Sequence, residues 1–234
     1  MPSLPRFLVS GTVAEGLVIP LPPEEARHAK VRRLLDGDAA EVLDGAGVTG
    51  TGRMTGKGTA VAVESVSRLR GEPGRRWTVA LAAAEPSRVE WAVEKGTECG
   101  AAAFVLFAAE RSQAAHVRVL GARRERLRRV AAEAVKQCGR SVVPPVSGPV
   151  PLRDLLGCAG AILVAAPGAP LLGPDEVAGS DGGAVVVGPE GGLSDGEVDL
   201  LVGAGARLVG LGPRTLRLET AVIAALVRLS GPFG

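Results

Sequence analysis

The chain has 234 residues, 27 Lys and Arg against 25 Asp and Glu, a formal charge of +2, and 46% hydrophobic residues. It is long enough to bury one large core or two small ones. No run approaches eighteen uninterrupted apolar residues, and the start MPSLPRFLVSG lacks the basic, apolar, small-residue order of a secretory leader, so a soluble, cytoplasmic protein with no membrane partner is expected. Cys99, Cys138 and Cys158 are too few and too scattered for a disulfide framework or a metal knuckle, and His28 and His116 stand alone, so no protein-bound metal is expected.

Over residues 1–72 short apolar runs alternate with glycine turns: RFLVSG, GDAAEVLDGAGVTGTGRM, TAVAVESVSRL. The pattern predicts a small β-barrel or sandwich with one helical segment from Pro23 to Leu35. TGRMTGKGT within it is not a phosphate-binding P-loop, because Thr51 stands where the first glycine belongs and Gly58 where Ser or Thr should follow Lys57. GEPGRR, at 71–76, breaks the pattern and marks a linker.

The texture changes over 73–234. WTVALAAAE and AAAFVLFA read as buried strands on either side of a helix opened by Pro86, with Val89, Ala92, Val93 and Gly96 on one face. A basic helix is predicted from Val119 to Cys138. AILVAA, AVVVG and RLVGLG are further strands, Ser194 with Glu197 forms a capping box, and a last helix runs from Leu216 to Leu229. Continuous apolar strands alternating with helices predict an α/β fold, its parallel sheet covered on both faces and its ligands beyond the strands' carboxyl ends.

Charge is unevenly spread. Between Arg111 and Arg140 nine Lys and Arg stand against two acids, a local +7 that leaves the rest of the chain at −5. Such a block is either the footprint of a polyanion or the solvated face of an Arg-rich helix. With no Tyr, four Phe and two Trp, stacking on an aromatic platform is not the main device; RNA would be read by phosphate contacts and shape.

The sharpest signal lies between Gly188 and Ala221. GPEGG follows the apolar run Ala184 to Val187, and LGPRTLR follows RLVG in the same way. Glycine turns at strand carboxyl ends let a ligand approach the backbone closely. One such turn is ordinary; two, followed by LRLETA, point to a nucleoside site.

The run VVVGPEGGLSDGEVDLL and LVGLGPRTLRLETAVIAAL resembles the carboxyl-terminal signature of the ribosomal RNA small subunit methyltransferase E family, of the SPOUT class. EKGTECG, VKQCGRSVVPPV and RHAKVRRLLDGD are similar to three further segments of that family, so the resemblance spans most of the chain. It implies an amino-terminal PUA-like β-barrel for RNA over 1–72 and, over 73–234, a SPOUT methyltransferase domain with a deep trefoil knot, a cofactor site and a dimer interface. It also implies a homodimer that transfers a methyl group from S-adenosyl-L-methionine to N3 of one uridine in small-subunit (16S) rRNA, as naked rRNA or assembled subunit, with no DNA partner.

On this chain the implied cofactor loops begin with Leu163 and Ala165 and continue through Val187, Gly188, Glu190, Gly191 and Gly192. They end with Leu211, Gly212, Leu216, Arg217, Thr220 and Ala221. For RNA contact the first domain offers Arg32 and Arg33, and the basic block offers Arg111, Arg123, Arg124 and Arg140. The chain departs from the family at Leu218, where threonine is usual, at Cys99, where leucine is usual, and at EPSR in place of G-[DE]-K, which leaves Arg88 as the nearby cation.

Uridine N3 carries a proton at neutral pH, so its methylation needs a base or a group that stabilises the anion. Arg217 or Arg140 suits charge on the uracil carbonyl oxygens, and Glu219 is the nearest carboxylate to take the proton. Each has a plainer reading: Glu219 complements a helix dipole, Arg217 pairs with Glu219 or Glu190, and Arg140 touches a phosphate. Two other functions stay open, an RNA-binding ribosome-assembly protein that keeps the fold without catalysis and, last, a dinucleotide-dependent oxidoreductase, for which no GxGxxG follows an early strand.

Overall fold

The computed structural model describes residues 4–157, 160–173 and 179–230, so Cys158 lies outside the described residues. The chain divides into two units, Met1–Glu72 with Ala132–Val143, and Pro73–Ala131 with Pro144–Gly234. No described helix is long and apolar enough to cross a membrane.

The first unit holds β1 (Arg6–Leu8), β2 (Val18–Pro20), β3 (Ala39–Leu43), β4 (Val48–Thr55) and β5 (Ala60–Arg68) in the order β1-β3-β4-β5-β2. All neighbours are antiparallel except β1 with β3. Helix α1 (Pro23–Val31) starts on proline with Glu24 and Glu25 in its first turn, where their charge suits the dipole. It stops short of the predicted Leu35 because Arg33 turns to φ 57° and Leu34 N–H bonds back to Ala29 O. Phe7, Ile19, Val42, Met54 and Val61 pack with Ala29 into one core.

Residues 132–143 join this unit through buried charge, a return that a single break at the linker does not anticipate. Lys136 Nζ lies 2.7 Å from Glu25 Oε1, and Arg140 Nη2 lies 2.6 Å from Glu72 Oε2. Glu72 Oε1 also accepts from the N–H groups of Ser141 and Val142, each at 2.9 Å. Glu41 sits between Arg70 at 2.6 Å and Arg6 at 2.8 Å. The Arg70 hydrogen bond holds the Glu41 carboxyl below its ordinary pKa against the cost of burial, with Arg6 adding to the effect.

The second unit is a six-stranded sheet in which every neighbour is parallel, in the order β11-β9-β10-β6-β7-β8. Its strands are β6 (Arg76–Ala82), β7 (Ala103–Ala108), β8 (Val146–Pro151), β9 (Ala161–Ala165), β10 (Gly182–Val187) and β11 (Arg207–Val209). Its helices are α2 (Pro86–Glu98), α3 (Ala114–Ala122), α5 (Asp195–Gly203), α6 (Leu218–Leu229) and the first part of α4 (Arg124–Cys138). Ala80, Ala82, Phe107, Val164 and Val186 form one cluster with Leu201 of α5. The alternate residues Val79, Leu81, Leu106, Leu163 and Val185 are buried as well, so both faces are covered, as the unbroken apolar runs require.

The predicted basic helix from Val119 to Cys138 is in fact two helices. They meet at Arg123, whose N–H bonds back to both Val119 and Leu120 carbonyls and closes α3. The capping box at Ser194 is present, with Glu197 N–H on Ser194 Oγ at 3.3 Å and Ser194 N–H on Glu197 Oε2 at 2.8 Å.

Candidate cofactor site

The chain builds β6, β7 and β8 outward on one side of the sheet, then returns to lay β9, β10 and β11 on the other. Ligands of open parallel sheets sit beyond carboxyl ends near such a reversal. There the loops after β9, β10 and β11 enclose a cavity of about 360 Å³, within the range of about 300–1,000 Å³ typical of small-molecule sites.

Two of the three loops are tied edge to edge. Ala166 N–H bonds to Val209 O at 2.9 Å, Gly210 N–H to Pro170 O at 2.6 Å, and Leu172 N–H to Gly210 O at 2.8 Å. The approach requires glycine at 210, since a Cβ there would lie 2.3 Å from the Ala169 carbonyl oxygen.

The GPEGG loop is held differently. Gly192, at φ +71°, closes a turn with its N–H on Pro189 O at 2.8 Å. Arg111 Nη1 donates to Gly191 O at 2.7 Å and Leu193 O at 3.3 Å, while Glu110 N–H bonds to Glu197 Oε1 at 2.8 Å. From the other side Arg88 reaches Glu190 at 3.5 Å. The unusual EPSR segment sets up that contact: Glu85 caps α2 by accepting from the Ser87 and Arg88 N–H groups and from the Ser87 hydroxyl. Those bonds, the Ser87 hydroxyl foremost, hold the Glu85 carboxyl below its ordinary pKa.

Most sequence-predicted cofactor residues come together. Ala165, Val187, Gly188, Glu190, Gly191, Gly192, Leu211, Gly212, Leu216 and Ala221 all line the cavity. Leu163 does not; it is fully buried inside β9, one residue before the lining starts at Val164. Arg217 and Thr220 are exposed and also lie outside the lining, which takes Leu218 and Ala221 from α6, three residues apart on one helix face. Leu218 is 3% exposed and supplies an apolar wall where the family usually has a hydroxyl. Arg214 and Thr215, inside the LGPRTLR turn, line the cavity as well, and sequence reasoning missed Leu193 and Val198, which the start of α5 carries in. Glu190 and Arg214 are the two charged residues in the lining among the described residues.

The catalytic candidates separate. Glu219 is partly buried in the first turn of α6, and its Oε2 is buried with no hydrogen-bond partner among the described residues. Arg217 stands at the N-cap of the same helix. Arg140 belongs to the first unit, 4% exposed and paired with Glu72, so its guanidinium serves as a buried structural ion rather than a group offered to uracil or phosphate.

The basic block is partly neutralised. Arg126 forms a two-pronged pair with Glu90 at 2.6 and 2.8 Å, Arg123 lies 3.7 Å from the same carboxylate, and Arg128 pairs with Glu125. Arg124 is exposed and donates to Gly121 O, and Arg111 braces the GPEGG loop, whereas Arg32 and Arg33 are exposed at the end of α1.

Comparison with known proteins agrees along both units. The family described as RNA methyltransferase domain matches residues 72–230, and the RNA methyltransferase PUA domain matches residues 21–65. The ribosomal RNA small subunit methyltransferase E of Mycobacterium bovis is 34% identical over 244 residues, covering 94% of this chain and 88% of its own. The protein of that name from Synechocystis is 32% identical over 211 residues, covering 86% of this chain and 68% of its own. The crystal structure of the Neisseria gonorrhoeae ribosomal RNA small subunit methyltransferase E bound to S-adenosyl methionine superposes with a TM-score of 0.85 at 26% identity, covering 96% of this chain and 95% of that one. Matches of this length, falling on the loops that close the cavity, place the chain in the ribosomal RNA small subunit methyltransferase E family of RNA methyltransferases.

Proposed function

We propose that the protein transfers the methyl group of S-adenosyl-L-methionine to N3 of a uridine in the 16S RNA of the small ribosomal subunit. The observation that carries this reading is the three-loop cavity at the carboxyl ends of β9, β10 and β11. Its residues fit the cofactor: Val187, Leu193, Leu218 and Ala221 give apolar walls for an adenosine, the glycine loops bring backbone N–H and C=O groups to it, and Glu190 offers a carboxylate to the ammonium of its tail. When bound, the cofactor supplies an electrophilic methyl group whose bond to sulfur breaks as the bond to N3 forms.

The chain's own residues then do three things. The pinned loops fix the donor's orientation, which by itself supplies much of the rate in a displacement of this kind. Glu219, with an unpartnered carboxylate oxygen, takes the N3 proton. Arg217, at the N-cap of α6, faces the charge that develops on the uracil carbonyl oxygens.

The first unit binds RNA, with Arg32 and Arg33 on phosphates, and the second unit offers Arg123 and Arg124 to phosphates of its own. The protein works in the cytoplasm as a homodimer, its catalytic domain threaded as a deep trefoil knot. Exposed apolar side chains on the mutually packed α2 and α6, Trp91 and Val227, support pairing of that face.

Incubation of purified protein with methyl-labelled cofactor and either 16S rRNA or small subunits tests the reading. One methyl-uridine located by mass mapping is expected. Cofactor binding by calorimetry with no label in either RNA would overturn it.

A further inference from the structure

A second cavity, of about 320 Å³, adjoins the first. Pro167, Gly212, Arg214 and Thr215 line both, while Gly168, Ala169, Leu171 and Pro213 line the second alone. We propose that this second cavity is the subsite for the acceptor nucleotide, with the Arg214 guanidinium at the shared wall on the nucleotide's phosphate. The assignment rests on the methyl-transfer reading above.

Methyl transfer needs donor and acceptor atoms in contact, so the acceptor must occupy space that shares a wall with the donor's. The second cavity meets that condition through four residues. Its size, at the lower end of small-molecule sites, suits one nucleotide drawn out of a stack.

Its chemistry points the same way. Among the described residues no carboxylate lines it, and the single charged one is Arg214. Where Arg111, Arg126 and Arg140 are taken up by a loop or an acid, Arg214 is exposed and forms no ion pair among the described residues. An exposed, uncommitted guanidinium beside an uncharged cavity fits a phosphate next to a base.

The walls suit a base held by contact rather than by stacking. Pro167, Ala169, Pro213 and Leu171 are apolar, and Leu171 is 55% exposed. In a protein without tyrosine, that side chain gives a flat base an apolar surface. The wall is also fixed, since the parallel bridge of Leu171 with Gly210 ties the loop that carries it to the one that leads to Arg214.

Three variants test the subsite: Leu171→Trp, which fills the second cavity from a side chain that does not line the first, Arg214→Ala, and Arg214→Lys. Cofactor Kd is read by calorimetry, and KM and kcat on small-subunit rRNA are read at several salt concentrations. Leu171→Trp is expected to lower kcat/KM for RNA at least about tenfold with cofactor Kd within about twofold of the parent. Arg214→Ala is expected to raise the RNA KM about tenfold and to reduce the slope of log KM against log salt by about one, with Lys restoring most of both. Unchanged kcat/KM in Leu171→Trp overturns the subsite. So does a tenfold loss of cofactor affinity in Arg214→Ala with the RNA KM unmoved, which assigns the guanidinium to the cofactor. Failure of the unsubstituted protein to methylate any RNA overturns the function itself and the subsite with it.

Discussion

Gly210→Ala tests whether the tie between two cofactor loops shapes the cavity. The φ of Gly210 lies outside the left-handed region, so alanine meets no backbone penalty and the effect is steric. The new Cβ would lie 2.3 Å from Ala169 O and 3.3 Å from Pro170 O. Reaching ordinary contact distance moves the two loops apart by about 1 Å, at a cost of about 1–3 kcal/mol for overpacking of this kind. That displacement lengthens the 2.6 Å bond from Gly210 N–H to Pro170 O and the 2.8 Å bond from Leu172 N–H to Gly210 O, each worth about 1 kcal/mol net. The ligand-free protein relieves the strain by opening the loops, and binding must close them again. At about 1.4 kcal/mol per factor of ten, cofactor Kd should weaken by about tenfold to a hundredfold. Calorimetry on folded protein reads this directly, with Gly203→Ala as control, because a Cβ at the end of α5 meets nothing within 4 Å. A Kd for Gly210→Ala within about twofold of the parent would show that the tie does not shape the site.

Arg111→Ala removes both hydrogen bonds that Nη1 makes to the Gly191 and Leu193 carbonyls; because Arg111 is exposed, the expected loss of cofactor affinity is only about three- to tenfold, with Arg111→Lys between, and an unchanged Kd would remove Arg111 from the loop's support. Glu219→Gln should lower kcat about a hundredfold and leave cofactor Kd alone, and a parent-like kcat would move the proton elsewhere. The Glu41 carboxyl has a folded pKa below its unfolded value near 4.5, so its contribution to stability is present above that pH and is lost as pH falls through the folded value. Thermal melts between pH 7 and 3 should therefore show the first unit weakening below about pH 4.5, and Glu41→Gln should lower the neutral-pH stability by about 2–3 kcal/mol and flatten that acid slope; a variant with the parent's acid slope would refute the assignment.

What the sequence disclosed, and what it hid, divides along the range of the interactions involved. Strands such as Ala184–Val187 are apolar without interruption because both faces are covered, and that pattern can be read locally. The Ser194 and Glu197 cap spans three residues and is equally visible. The cavity lining was legible where backbone at a strand end forms it, as at Gly188 and Gly212, and blurred by one residue at the start of α6, where Leu218 rather than Arg217 lines it. The charges could be counted but not paired. Arg111 meets Gly191 80 residues away, Arg140 meets Glu72 68 away, and Lys136 meets Glu25 111 away. No periodicity carries such pairings, so a block that reads as +7 for a polyanion turns out to hold a loop brace, a two-pronged pair on α2 and two buried ions of the first unit. Arg214, which the LGPRTLR turn carries but whose role no local pattern specifies, forms no ion pair among the described residues beside the donor cavity. In a chain with this much arginine, position in sequence says where charge lies, and only the partners decide which of it is available to RNA.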